Sequence, residues 1–196
     1  MPYSPEHKQA TRESIVESAR RLFNRKGVSD VSIDDIMAEA GLTRGGFYNH
    51  FKNKEALFSE AVTHFLTGRG AEMREESGVH SAPPGWMTIQ RMIDGYLSTK
   101  HLDDLEAQCP LIALPSDIAR AGDKVKASYQ QLFEAMVGLY ESNLEKDSPR
   151  ETALILATLC VGGMVLARTL PDESLADEVR DVAREHALDT LKLSTH

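Results

Sequence analysis

Apolar positions in this chain recur at helical spacing over most of its length, and glycines, prolines and capping residues cut that periodicity into segments. Ile15, Ala19, Leu22 and Phe23 share one face of a helix predicted from about Glu6 to Lys26, after a mobile arm at residues 1–5. Arg20, Arg21, Arg25 and Lys26 lie towards its C-terminal end, where cations suit the helix dipole, and read mostly as a solvated face. Gly27 stops it. Ser32 then caps a second helix, with Asp35 three residues on as an acidic form of the capping box. Ile33, Ile36, Met37 and Ala40 line one side of that helix, and Gly41 ends it in the left-handed conformation. Thr43 opens the short run Arg44–His50. Two helices separated by about three residues make a helix-turn-helix, whose second helix enters the DNA major groove.

That second helix carries Gly45 and Gly46 in its first turn, although each costs roughly 1 kcal/mol of helix propensity relative to alanine. Glycines there remove bulk where a helix end approaches a nucleic-acid backbone or base edge, and the opening amides form an anion site. Ser32, Thr43, Arg44, Tyr48, His50 and Lys54 add hydroxyl, guanidinium, phenol, imidazole and ammonium groups able to reach phosphates or bases. Phe47 and Phe51 are expected to lock this helix onto the first. The candidate DNA contacts are therefore Ser32, Thr43, Arg44, Gly45, Gly46, Tyr48, His50 and Lys54.

Further along, Asn53 caps a fourth helix with Leu57, Phe58, Ala61, Val62 and Phe65 on its stripe. Gly68, Gly70 and the run Ser77–Gly85 read as a break and loop. Trp86, Ile89, Met92, Ile93, Tyr96 and Leu97 define a fifth helix to about Lys100. Pro110 and Pro115 interrupt the next stretch, so short or kinked segments lining a cavity are predicted over Leu102–Gly122. A seventh helix is predicted from about Asp123 to Lys146, and an eighth from the Ser148–Pro149 pair to about Leu170. A ninth runs from Ser174 or Leu175 to about Leu193. The eighth is small and apolar over nearly its whole width, with Gly162 and Gly163 permitting close backbone approach, so it must be buried on more than one side.

The segment from Ile15 to Leu57 resembles the DNA-binding head of the TetR family of bacterial regulators, of TetR/AcrR type. The resemblance rests on Ala19, Leu22, Phe23, Gly27, Ser32, Ile36, Ala40, Gly41, Thr43, Gly46, Tyr48, His50, Phe51, Lys54, Glu55 and Leu57. It implies an all-α fold of about nine helices: a three-helix head with the helix-turn-helix, and a larger C-terminal ligand-binding and dimerisation body. On this view residues 1–55 bind DNA and residues 56–196 bind ligand and dimerise. It further implies a homodimer through the last two helices, the eighth and ninth, on a pseudo-palindromic double-stranded operator. A bulky charge at Gly163 is accordingly predicted to split the dimer. A small-molecule effector would release a repressor from that operator; an activator, or an electrophile and redox sensor acting through Cys109, is the alternative.

Charge sharpens this division. The net charge of −8 is uneven, because residues 1–54 hold nine Lys and Arg against seven Asp and Glu, and the remainder holds 13 against 23. A few placed contacts, not a broad basic surface, would carry DNA affinity. No charged-then-apolar leader is evident and no apolar run approaches the ~20 residues of a membrane span, so a soluble cytoplasmic protein without a membrane partner is expected. Cys109 and Cys160 form neither a disulfide framework nor a metal motif, and no metal or cofactor is expected. Cys109 and His101 could be imagined as nucleophile and base, but no acidic orienter accompanies them, and no catalytic residue is assigned. Candidate ligand contacts are Trp86, Met92, Tyr96, His101, Cys109, Tyr129, Phe133 and Met164, a mainly apolar and aromatic set suited to a modest apolar or aromatic molecule. Cys109, beside Pro110, is either a small buried hydrophobe or a thiol reachable from the cavity.

Overall fold

The computed structural model describes residues 4–144 and 149–192, and among these every regular element is helical. The predicted cap at Ser148 and the predicted helix ends at Lys146 and Leu193 lie outside the described residues. The helices are α1 (Pro5–Lys26), α2 (Ile33–Glu39), α3 (Arg44–Phe47), α4 (Lys54–His64), α5 (Arg69–Glu76), α6 (Trp86–Tyr96), α7 (Thr99–Asp103), α8 (Pro110–Ala113), α9 (Pro115–Arg120), α10 (Asp123–Glu141), α11 (Pro149–Thr169) and α12 (Glu173–Lys192), with a 3₁₀ turn at Val79–Ser81. They outnumber the nine predicted because two runs divide and one loop is helical. Pro110 and Pro115 each open a short helix at its first position, where a missing N–H costs nothing. The run from Trp86 to Lys100 ends at Tyr96 and restarts behind Ser98, whose hydroxyl accepts from the His101 amide at 3.1 Å. The segment read as a break after Gly68 is α5, where Gly70 is buried and Arg69 pairs with Glu76 at 2.6 Å.

The described residues form two compact units. The first contains the residues up to Phe65 together with Leu105–Gln131. In it α1 packs against α2, α4 and α8, around fully buried Ile15, Ala19, Phe23, Ile36, Phe47 and Leu57. The second contains Leu66–Asp104 and the residues from Leu132 onward. There α11 and α12 lie along each other with α6 against both, over Ile89, Ile93, Leu156, Cys160, Met164 and Ala187.

By length and composition alone α11 could cross a membrane, which amends the expectation that no apolar run approaches a spanning length. In the structure its Thr152, Leu156, Cys160, Gly163 and Ala167 side is buried in the second unit. That is how a core helix behaves.

Candidate nucleic-acid interface

The interface begins with the caps that set two short helices at an angle. The Ser32 amide donates to Asp35 Oδ2 at 2.8 Å, and the Asp35 amide donates to Ser32 Oγ at 3.1 Å, so the capping box satisfies two amides that the helix leaves orphaned. Gly41, at φ 69°, lets the Leu42 amide reach back to the Met37 carbonyl at 2.7 Å, closing α2. Thr43 then opens α3 without its side chain bonding a helix amide. The helix is shorter than predicted: regular structure ends at Phe47, and turns carry the chain to Phe51.

Phe47 and Phe51 are buried, 5.7 Å apart between ring centroids, and fix α3 from below. Arg12 of α1, which sequence reasoning passed over, completes the clamp. Its guanidinium lies 4.1 Å from the Phe51 ring centroid, donates to the His50 carbonyl and pairs with Glu60 of α4. Such cation–π contacts add about 0.5–1 kcal/mol at partly exposed sites. The only signal in the sequence is a cation at the head of the Ile15, Ala19 stripe.

Of the eight candidate contacts, Ser32, Thr43, Arg44, Gly45 and Tyr48 are exposed, whereas Gly46, His50 and Lys54 are half-buried. Tyr48 is 59% exposed although its ring packs edge-on against Phe47. A methyl group placed on Gly45 would meet no atom within 4 Å, and one on Gly46 would meet Met37 Cε at 3.5 Å. Neither has a positive φ. Packing inside the chain therefore does not demand glycine at position 45. The Ser32 hydroxyl is occupied by its own cap, donating to Asp35. Lys54 donates to the Val31 carbonyl; burial lowers its pKa, opposed by Asp117, Asp30 and Asp35. Burial, reinforced by Lys8 and Arg12, lowers the pKa of His50 and so favours the neutral imidazole. Beside these residues lies a hollow of ≈ 590 Å³ lined by His7, Lys8 and Thr11 of α1 with Leu42, Thr43, Gly46, Asn49 and His50. Small, donor-rich and exposed above a rigid aromatic base, this face can meet a phosphate backbone closely.

Residues 15–61 match the family model described as "Bacterial regulatory proteins, tetR family". Residues 15–61 are therefore a TetR-family domain. It is 33% identical over 115 residues to the transposon Tn10 TetC protein of Escherichia coli, covering 56% of this chain and 57% of that protein. It is 52% identical over 52 residues to the HTH-type transcriptional regulator AcrR of Shigella flexneri, covering 26% of this chain and 24% of that one. The matched part is thus 57% or less of the length of these two curated relatives. A TetR transcriptional regulator from Chloroflexus aurantiacus J-10-FL superposes with a TM-score of 0.76 over 95% of this chain and 96% of that one, at 21% identity, and shares its fold.

The candidate ligand contacts fall in both units. In the first unit Cys109 is 2% exposed at the start of α8, and the Tyr129 hydroxyl donates to the Leu111 carbonyl at 3.1 Å. Burial, with Cys109 nearby, pushes the Tyr129 pKa up to about 12. This segment is tied to α1: Arg20 donates to the Glu106 carbonyl at 2.6 Å and Asn24 to the Gln108 carbonyl at 2.7 Å, while Arg25 pairs with Glu106. Arg20 is buried, so the reading of the α1 cations as a solvated face is corrected there: its partners are the Glu106 carbonyl, remote in sequence, and the Glu17 carboxylate one turn back. In the second unit His101 is buried, with Nδ1 2.7 Å from the Tyr96 carbonyl and its ring edge-on to Tyr96 at 5.0 Å. Met164 is buried too, whereas Met92, Tyr96 and Phe133 are half-buried. Trp86 is 53% exposed and lines a hollow of ≈ 390 Å³ with Gln90, Leu188, Leu191 and Lys192. Among the described residues no cluster of three His, Cys, Asp or Glu is arranged to hold a metal ion.

On α11 and α12, Ile155, Leu166, Leu175 and Val182 are apolar side chains left exposed. Cys160 instead lies in the core, 3.5 Å from the Tyr140 hydroxyl, and burial pushes its thiol up to about 12.

Proposed function

We propose that this TetR-family chain is a DNA-binding transcriptional regulator: a repressor that leaves a pseudo-palindromic operator when a small apolar or aromatic ligand binds. Residues 1–55 recognise DNA, and residues 56–196 bind ligand and hold a homodimer through α11 and α12. Two copies of α3 then enter successive major grooves, and ligand acts by shifting α4, which begins at the interface with Lys54 and Glu55. The observation that carries this reading is Gly45, exposed in the first turn of α3 where no internal contact asks for a missing side chain. The relationship to AcrR, named as a transcriptional regulator, supports it. Ligand contacts come from the aromatic, thioether and imidazole side chains named above, and the exposed apolar residues of α11 and α12 supply the subunit contact. Such a protein works in the cytoplasm, without catalysis or a cofactor.

The test is selection of duplexes from a randomised DNA pool by the full chain, followed by titration at several ionic strengths. An enriched two-fold sequence is expected. Lys54→Ala should weaken binding to all duplexes and reduce the salt slope by about one per subunit, whereas Arg44→Ala should relax sequence preference. Tyr48 is a second phosphate contact. Failure to enrich any duplex overturns the reading, and an unchanged salt slope in Lys54→Ala removes Lys54 from it.

A further inference from the structure

Arg44 opens α3 with its side chain in water, and its guanidinium is held by a residue of the preceding helix. Nη1 donates to Oδ2 of Asp34 at 2.5 Å, and both side chains are more than half exposed. An ion pair so exposed adds little to stability. Asp34 is also poorly placed for a protein that meets a polyanion, because its charge stands on the face read above as the DNA interface. The neighbouring carboxylate is already used: Asp35 closes the α2 capping box. Asp34 takes no part in that cap, and its bond is to Arg44.

The geometry of the pair suggests what Asp34 does. A guanidinium carries five donors in a planar fork, and the bond to Asp34 occupies Nη1. Nε and Nη2 remain available along another edge. A free arginine on a helix end samples many rotamers and would take the nearest phosphate. Held at one corner by a carboxylate, it keeps two donors aimed together, the arrangement that matches O6 and N7 of guanine in the major groove. We propose that Asp34 is a positioning residue that aims Arg44 at a base and so sets sequence preference without itself touching DNA. This rests on the DNA-binding reading above and adds a specificity determinant to it.

The experiment uses the full chain and the duplex that it enriches, together with duplexes altered one base pair at a time. In the native chain one position per half-site should show a preference that Arg44→Ala abolishes. Asp34→Ala should lose on the order of tenfold in discrimination at that same position and keep its preferences elsewhere. Its salt slope should steepen by up to about one per subunit, because the released Arg44 then pairs with phosphate. Combining the two substitutions should cost no more discrimination than Arg44→Ala alone. If Asp34→Ala tightens every duplex alike and leaves preference unchanged, Asp34 only repels DNA and the proposal fails. A uniform loss on all duplexes, with a lowered melting temperature, makes Asp34 a residue of the fold and overturns it equally. If the native chain itself enriches no duplex, the DNA-binding reading falls first, a failure seen before any variant is made.

Discussion

Gly163 of α11 faces Ala183 of α12 at a distance that leaves no room for a side chain. A methyl group at position 163 would sit 2.7 Å from Ala183 Cβ and 3.4 Å from Leu97 Cδ2. The glycine is therefore a seam within one chain, and the expectation that a charge there would separate two subunits is corrected. Gly162, the next residue, turns to another side of the helix, where an added methyl would meet nothing within 4 Å. Gly163→Arg should cost about 3–5 kcal/mol of stability, through overpacking and a buried unpaired charge, and lower the melting temperature sharply. Gly162→Arg should leave the melting temperature of the monomer nearly unchanged and weaken the proposed dimer, measured by sedimentation. A folded, dimeric Gly163→Arg protein would contradict the packing described here.

His101 makes stability depend on pH. Burial lowers its pKa to about 4, against 6.5 for the free side chain, with the Tyr96 carbonyl opposing and Arg69 assisting. Its folded pKa lies below its unfolded one, so between these values the unfolded chain binds more protons. The contribution is fully present above about pH 6.5 and is lost as pH falls towards 4. The shift corresponds to on the order of 3 kcal/mol. Glu76, held down to about 2 by Arg69 and Lys100, loses its contribution only at lower pH, from about 4.5 towards 2. Denaturant titrations at pH 7 and pH 4 should show the native chain losing more stability than His101→Gln over that interval. Equal losses would mean that His101 is not the titrating group.

How much of this was legible beforehand depends on how local each cause is. The Ser32–Asp35 capping box, the left-handed Gly41 and the proline-led α8 and α9 follow from contacts within a few residues, and all could be read from the chain. The helix α5 could not, because Gly68 and Gly70 signal a break, while burial of Gly70 and the pairing of Arg69 with Glu76 act through packing. The end of α6 has no proline or glycine at its last residue; the buried Arg180 of α12 takes the Leu97 carbonyl at 2.8 Å, and Ser98 starts the next helix. In the interface, the eight residues were visible as a pattern. The tether of Lys54 to Val31, the pairing of Arg44 with Asp34 and the clamp by Arg12 were not, since each depends on how separate segments of the chain meet.

Gly45 offers a test in which stability and function should move in opposite directions. Its backbone lies in a helix, an added methyl has free space, and alanine is better than glycine there by about 1 kcal/mol. Gly45→Ala should raise the melting temperature slightly while weakening DNA binding, because the new methyl projects into the space the duplex would occupy. Binding unchanged in a stabilised Gly45→Ala protein would show that α3 approaches DNA through another edge.

Cys109 decides between a ligand-gated repressor and the alternative of a thiol sensor. The residue is almost fully buried at the start of α8, where its carbonyl accepts from the Ile112 amide at 2.9 Å and the Ala113 amide at 3.1 Å. Reaction with N-ethylmaleimide joins Sγ to an alkene carbon and transfers the thiol proton to its neighbour. The adduct adds volume to a packed segment whose Glu106 and Gln108 carbonyls are bonded to Arg20 and Asn24 of α1. Such overpacking costs about 1–3 kcal/mol, enough to bias a helix that α1 supports. Under the sensor reading, modification should release DNA from the native chain and leave Cys109→Ser bound. Cys160, deeper in the core and with its thiol pushed up to about 12, should react more slowly than Cys109, as mass spectrometry of the partly modified protein can show. If both proteins release DNA equally, or neither does, Cys109 is core packing and the ligand acts without covalent chemistry.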